Sequence, residues 1–237
     1  MGGGGARGAG AAALSRIAAE IVRCRACPRL VAWREKVARE RRRAYRDEVY
    51  WGRPVSGFGD PAARIAIVGL APGAHGANRT GRMFTGDGSG DFLYAALHRA
   101  GLASQAESRS RGDGLRLRGS FVTAAARCAP PANRPTLEEL RRCAPFLDRE
   151  IEALGRVRVL LALGAIAWET CLGHLVRIGR ELPSPRPRFG HGAELRVPGG
   201  PVLVGSYHVS RQNTQTGRLT PAMFDEVVGR VVAIARG

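Results

Sequence analysis

Short apolar runs alternate with amphipathic stretches along most of the chain. Each apolar run has the length of a strand buried on both faces, and each amphipathic stretch repeats its apolar residues at helical spacing. Strands are predicted at 64–70, 120–126, 157–163, 194–198 and 202–206. Helices are predicted at 14–23, 91–100, 136–154, 165–172 and 220–235. The alternation predicts an α/β fold whose parallel sheet is covered by helices on both faces.

The 237 residues are enough for one α/β domain with a sizeable core. Residues 1–13 consist mostly of glycine and alanine, and we expect a disordered tail there. Residues 14–237 are predicted to form a single domain, in which 14–60 is a helical segment that precedes the sheet. The highly charged stretch 34–48 fits either a solvated helix or a surface that contacts phosphates.

A long glycine-rich loop, 69–90, separates the first strand from its helix. Its glycines allow positive φ angles and a close approach of the backbone to a ligand. Loops of this length are more often functional than mere connections. The loop 69–90 and the loops 127–135 and 207–219 each follow the carboxyl end of a predicted strand. Open α/β sheets bind their ligands at these ends. The loop contains neither of the common phosphate-binding glycine motifs, which argues against a nucleotide-phosphate enzyme.

Charge narrows the class of ligand. The chain has 37 Lys and Arg against 20 Asp and Glu, a formal net charge of +17. Such a field favours polyanions, nucleic acid first. A GC-rich genome would explain the preference for Arg over Lys, but it would not explain the shortage of acids. No apolar run has the length of a membrane span, and the N-terminus lacks the apolar region of a signal peptide. We therefore expect a cytoplasmic, nucleoid-associated protein with reduced thiols.

Four of the five cysteines form two pairs. Cys24 and Cys27 form a C-x-x-C, and Cys128 and Cys143 are more widely spaced. Together they can supply the four sulfur ligands of a structural zinc ion or of an iron–sulfur cluster, and the spacing does not choose between them. The alternative is that they are buried apolar cysteines. Cys171, on a helical face, is expected in the core.

Two segments and the cysteine pattern carry a family resemblance. GLAPGAHGANRTGRMFTGD (69–87) and YHVSRQNTQTGRLT (207–220) resemble family 5 of the uracil-DNA glycosylase superfamily, from about Cys24 to the C-terminus. The resemblance implies a three-layer α/β/α fold around a central four-stranded parallel sheet. It implies a structural 4Fe–4S cluster ligated by Cys24, Cys27, Cys128 and Cys143. It also implies excision from DNA of uracil, and of other deaminated bases such as hypoxanthine and xanthine.

The resemblance also assigns roles to residues that hold the base. A glycosylase must hold an extruded base and stabilise the departing base anion while water attacks the sugar. Phe84 is expected to stack on the base, although it could instead be a core residue beneath the loop. Backbone amides around Leu70 and Ala71 are expected to face a base carbonyl, and His75 to shape the pocket. His208 is expected to donate to the uracil O2 as negative charge develops.

Two positions depart from the wider superfamily. Ala71 stands where most families have an acidic or amide residue that orients water, and residues 122–125 contain no asparagine to read the uracil edge. Both losses resemble family 5 and predict a broad range of bases, because no dedicated polar group rejects the others. Water activation is then assigned to Asp87 or Asn133. The alternative for Asp87 is a helix cap or an Asx-turn.

Polar side chains of the same loops are expected to contact the DNA backbone or to fill the gap in the duplex. They are Asn78, Arg79, Arg82, Arg211, Gln212, Asn213 and Arg218. Lys36 is the only lysine, which favours a monofunctional enzyme that leaves an abasic site rather than one using a Schiff base. We expect the protein to be a monomer. The alternative from another class is a non-enzymatic, metal-stapled nucleic-acid-binding protein.

Overall fold

The protein is described by a computed structural model that covers the backbone of residues 3–237 and the side chains of residues 8–237. Its core is one six-stranded sheet with the order β1-β3-β2-β4-β6-β5. The strands are β1 (Phe58–Gly59), β2 (Ile65–Gly69), β3 (Ser120–Ala124), β4 (Val159–Leu163), β5 (Glu194–Leu195) and β6 (Val202–Ser206). The four inner strands are mutually parallel, and the two-residue edge strands β1 and β5 are antiparallel to their neighbours.

Helices cover both faces of this sheet. They are α1 (Gly3–Arg23), α2 (Pro28–Glu40), α3 (Ala77–Thr80), α4 (Gly88–Arg99), α5 (Leu137–Leu154), α6 (Ala165–Arg177), α7 (Arg211–Gln215) and α8 (Pro221–Arg236). Alternate residues of β2 show the layering: Ile65 and Ile67 pack with α4 and α8, whereas Ala66 and Val68 pack with α5 and α6. The three-layer α/β/α class is confirmed, with six strands where four were expected.

The N-terminus differs from the prediction of a disordered tail over 1–13. Helix α1 begins at Gly3, and residues 1 and 2 lie outside the described residues. The physical reason is that α1 packs on α5, and this packing outweighs the low helix propensity of the glycines. A methyl group built on Gly10 would lie 2.7 Å from the Ala153 carbonyl oxygen, and Glu20 pairs with Arg149 at 2.6 Å.

Other boundaries shifted for local reasons. Helix α2 starts before the charged stretch at 34–48, with Pro28 at its first position, and ends at Glu40, because Arg41 has a positive φ angle of +52°. A short 3₁₀ turn, Arg43–Tyr45, follows it. Helix α5 begins at the predicted capping box, in which Thr136 accepts from the Glu139 N–H and Glu139 accepts from the Thr136 N–H. No helix among the described residues is long and apolar enough to cross a membrane.

Candidate active site

A cavity of about 690 Å³ opens at the carboxyl edge of the sheet. The glycine-rich loop after β2, the loop after β3 and the segment after β6 contribute to it, as parallel topology requires. Seven residues expected to act in catalysis or base binding line it: Leu70, Ala71, His75, Phe84, Asp87, Asn133 and His208. The volume lies in the range of about 300–1,000 Å³ that is usual for small-molecule sites.

Asp87 caps helix α4 and also borders the cavity. Its Oδ1 accepts from the backbone N–H groups of Ser89 at 3.0 Å and Gly90 at 3.2 Å. Its Oδ2 lies against the glycine-rich loop, where a methyl group built on Gly76 would stand only 1.9 Å away. The helix cap weighed as the alternative for Asp87 is therefore present, and it uses one oxygen of a side chain that also lines the cavity.

Phe84 is held in a strained backbone conformation. Its φ angle is +50°, a region that non-glycine residues rarely occupy and that costs about 1–3 kcal/mol. Two glycines leave room for it: a methyl group on Gly69 would lie 2.6 Å from the Phe84 ring, and one on Gly90 would lie 1.9 Å from the Phe84 carbonyl oxygen. The ring borders both the core and the cavity, so it serves the packing role and remains available to a ligand.

His208 faces Phe84 across the cavity, with ring centroids 6.3 Å apart. Burial lowers the pKa of His208 below its ordinary value of 6.5, and the Asp87 carboxylate opposes that shift. The imidazole is therefore neutral at physiological pH and can still donate one N–H. The Asn213 amide donates to the His208 carbonyl at 2.8 Å and so fixes the backbone that carries the ring.

Asn133 enters the cavity wall from the loop after β3. Ala132 and Asn133 have φ angles of +52° and +55°, two consecutive positive values at non-glycine residues. Such conformations cluster at functional sites, where surrounding structure maintains them. The Asn133 side chain is exposed, which leaves its amide accessible to solvent and ligand.

His75 lines the cavity from the loop after β2. Its Nδ1 is 3.0 Å from the Tyr50 hydroxyl. Burial lowers the pKa of His75, and the positive charges of Arg42 and Arg79 lower it further. His75 is thus a neutral wall residue whose orientation Tyr50 sets.

Three predicted DNA contacts are wrong. Asn78, Arg79 and Arg82 are all buried. The Asn78 amide donates to the Arg34 and Ala74 carbonyls. Arg79 donates to the His75 and Gly86 carbonyls and pairs with Glu48. Arg82 binds Asp113 through both terminal nitrogens, at 2.8 and 2.6 Å. These side chains hold the glycine-rich loop together and present no group to DNA.

The remaining predicted DNA contacts lie in or beside α7. Arg211 and Gln212 are exposed and line the cavity mouth. Asn213 also lines the cavity, but its amide is engaged by His208. Arg218 is exposed and lies over the Tyr207 ring at 4.8 Å, outside the set of cavity-lining residues. The segment therefore contains both accessible cations and a positioning amide.

Sequence reasoning missed two cavity residues. Arg42 and Tyr45 line the mouth from the segment after α2, which was judged only by its charge. The Arg79 guanidinium carbon lies 3.9 Å from the centroid of the Tyr45 ring and orients it. An aromatic residue among arginines (RRRAYR) was the available signal, because basic patches with aromatic residues are typical of nucleic-acid surfaces.

The four paired cysteines gather at the junction of α2, α5 and the loop after β3. Cys27 and Cys128 pack with Leu30 in one buried cluster. Burial raises the pKa of Cys128 to about 12 against the opposing charge of Arg34, and Cys143 and Cys24 add to the rise. Arg34 Nη1 donates to Cys128 Sγ at 2.9 Å. Among the described residues, no three His, Cys, Asp or Glu side chains form a group that could hold a metal ion.

The known proteins that the chain resembles are uracil-DNA glycosylases. The family model described as "Uracil DNA glycosylase superfamily" matches residues 56–231. A type-5 uracil-DNA glycosylase of Thermus thermophilus is 60% identical over 208 residues, which cover 88% of this chain and 92% of that protein. A type-5 uracil-DNA glycosylase of Mycobacterium bovis is 52% identical over 219 residues, covering 92% and 80%. A type-4 uracil-DNA glycosylase of Archaeoglobus fulgidus is 34% identical over 114 residues, covering 48% and 49%.

Proposed function

The chain belongs to the uracil DNA glycosylase superfamily, and from this premise we propose that it is a DNA-repair glycosylase that removes uracil from DNA. The observation that carries the proposal is the meeting of Asp87, Phe84 and His208 at one cavity. An acid, an aromatic ring and a neutral N–H donor are what the hydrolysis of an N-glycosidic bond needs. The net charge of +17 supplies the attraction to DNA.

The base occupies the cavity after it leaves the duplex stack. The Phe84 ring stacks on it, an interaction that is worth roughly 1–3 kcal/mol per base. The strained backbone of Phe84 supports this role, because packing in the core alone does not require a positive φ angle.

His208 stabilises the departing base. As the bond to the sugar breaks, electrons move onto the ring and negative charge grows on its carbonyl oxygens. A neutral imidazole N–H aimed at such an oxygen can lower the barrier by roughly 2.7–4 kcal/mol. The lowered pKa of His208 favours this neutral donor at the pH of the cell.

Asp87 acts on the sugar side of the reaction. Its Oδ2 is not used by the helix cap, so it can accept a proton from the attacking water or stabilise positive charge on the sugar. Ala71 has only a methyl group and cannot do either. Asn133 can orient the water but cannot take its proton, which gives it a supporting role.

The proposal also covers the range of bases, the oligomeric state and the product of the reaction. The cavity has no dedicated asparagine at 122–125, so hypoxanthine and xanthine are accepted besides uracil. The enzyme is a monomer that works inside the cell, with the chromosome. It leaves an abasic site without cutting the strand, because the single lysine, Lys36, is exposed and is not among the residues lining the cavity.

Cys24, Cys27, Cys128 and Cys143 would hold a structural 4Fe–4S cluster. The donors fit such a cluster in kind: Cys24 and Cys143 lie close enough to raise the pKa of Cys128, and Arg34 already donates to the Cys128 sulfur and would offset the charge of ionised thiolates. The side chains as placed do not themselves form a metal-binding group, so the cluster would draw them together. Bound there, the cluster would tie α2 to α5 and to the loop after β3, and its role would be structural, since none of the four cysteines lines the active-site cavity. The purified protein should absorb broadly in the visible range and contain iron rather than zinc.

The direct test is an oligonucleotide with one deoxyuridine, incubated with the protein and then treated with alkali. A strand break after alkali but not before it is the expected result. Deoxyinosine and deoxyxanthosine substrates test the wider range. Salt-dependent DNA binding without base release would instead support a non-enzymatic binding protein.

A further inference from the structure

A second cavity, of about 570 Å³, lies beside the cysteine group. The ends of α1 and α2 form it together with the segment 51–53. Its wall is strongly basic, with one acidic residue, Glu35, among the arginines Arg23, Arg25, Arg34, Arg39 and Arg53. This cavity is separate from the active site and has no part in the chemistry described above.

The positive charge of this cavity is largely uncompensated. Glu35 is held by Arg25 at 2.5 Å. Within residues 8–237, Arg39 and Arg53 have no hydrogen-bonded acidic partner. Arg34 is only 2% exposed, and its Nε has no hydrogen-bond partner within the described part of the chain. A buried guanidinium N–H without an acceptor is costly, and Arg34 is one of the residues that line this cavity.

The aromatic wall of the cavity is already in contact with other residues. Trp51 is packed on Gly81, where a methyl group would lie 2.8 Å from the ring. The guanidinium carbons of Arg111 and Arg53 lie 4.8 and 5.7 Å from the ring centroid. Gly81 and two guanidinium groups already lie against this ring, whereas most of the cavity wall is arginine, so phosphate is the part of a nucleic acid that the cavity fits best.

The second cavity is adjacent to the active site along the chain. Ala38 and Arg39 line it, whereas Arg42 lines the active-site cavity. Arg39 and Arg42 are three positions apart in the sequence, so their Cα atoms lie at most about 11 Å apart. That span corresponds to about three nucleotides at 3.4 Å per strand.

We propose that the second cavity binds backbone phosphates of DNA a few nucleotides from the base that is removed. The proposal rests on the proposed function only in taking DNA as the ligand. The contacts are independent of sequence and of damage, since they involve phosphate alone. They would anchor the strand while the base is extruded.

The test measures binding to undamaged DNA, so that it does not depend on base excision. A double variant, Arg39→Gln with Arg53→Gln, and a control, Arg156→Gln with Arg158→Gln, remove the same charge. The control residues are exposed at the start of β4, at the opposite edge of the sheet. Each protein is titrated with a fluorescein-labelled 30-base-pair duplex over a series of salt concentrations, and circular dichroism checks folding.

The double variant should bind the duplex several-fold more weakly and lower the slope of log K against log salt by about 2, since each phosphate contact contributes about 0.9. The control should keep both values. Equal loss in variant and control would overturn the proposal, as would an unchanged slope. Pyrophosphate is added as a competitor for the duplex. If it displaces the duplex from wild type only at concentrations that also displace it from the double variant, DNA phosphates are supported as the ligand. If it displaces the duplex from wild type alone, the cavity is a site for a small free anion.

Weakened binding by a protein that releases no uracil would leave this proposal standing and reject the function.

Discussion

The two oxygens of Asp87 allow its structural and catalytic roles to be separated. Oδ1 caps α4 through Ser89 and Gly90, whereas Oδ2 lies at the cavity wall. Asp87→Asn keeps an oxygen acceptor of the same geometry but removes the negative charge. Asp87→Ala removes both. The two variants therefore predict different combinations of stability and activity.

The magnitudes follow from the contacts. Asn and Asp are about equally good helix caps, so Asp87→Asn should leave the free energy of unfolding nearly unchanged. Loss of the cap in Asp87→Ala should cost about 1 kcal/mol, which lowers the melting temperature by about 2–4 °C in a chain of this size. Excision should fall in both variants by roughly 10²–10⁴-fold, as expected for loss of a proton acceptor.

The assay is single-turnover excision from a deoxyuridine oligonucleotide, with thermal unfolding followed in parallel. A wild-type rate for Asp87→Asn would refute the requirement for a carboxylate and move the role to Asn133. A melting temperature of Asp87→Ala equal to that of wild type would refute the capping argument. If excision slows only in Asp87→Ala, the variant that loses stability, and not in Asp87→Asn, Asp87 acts through the fold alone.

Three further predictions concern other parts of the site. Gly76→Ala should slow excision strongly, because the new methyl group would stand 1.9 Å from Asp87 Oδ2, whereas Gly112→Ala, with nothing within 4 Å, should match wild type in the same assay. The pKa of His208 in the folded state lies below 6.5, so its contribution to stability is complete above pH 6.5 and is lost as pH falls through the folded pKa. His208→Asn should therefore weaken the dependence of the unfolding free energy on pH below 6.5. Denaturant titrations at several pH values measure this dependence, and the same dependence in variant and wild type would contradict the assignment. Arg82→Met should cost about 2–3 kcal/mol of stability, because the partly buried Asp113 carboxylate loses its guanidinium partner but keeps three backbone N–H donors. Arg211→Met should weaken DNA binding at unchanged stability, and the reverse pattern would restore the original assignment of Arg82 to DNA.

Family membership was readable from the residues, and the comparisons confirm it. The alternation of strands and helices was also readable, because strands buried on both faces form short continuous apolar runs, whereas the helices repeat their apolar residues at helical spacing. Strand β6 and the start of α5 agree with their predicted positions, since a short apolar run and a capping box are local signals. The gathering of the active-site loops also followed from local pattern, because parallel topology brings all carboxyl ends to one edge.

Tertiary structure alone decided which arginines are available to DNA. Arg82 and Arg211 look alike in sequence, both in glycine-rich or polar loops, yet one is buried against Asp113 and the other is exposed at the cavity mouth. The partner of Arg82 lies 31 residues away, and local composition does not reveal such a contact. The same holds for the helical N-terminus, which depends on packing against α5, and for the second cavity, whose walls come from three separate segments. Local patterns determined the elements and the edge where chemistry occurs, while long-range contacts determined which charged side chains face the solvent.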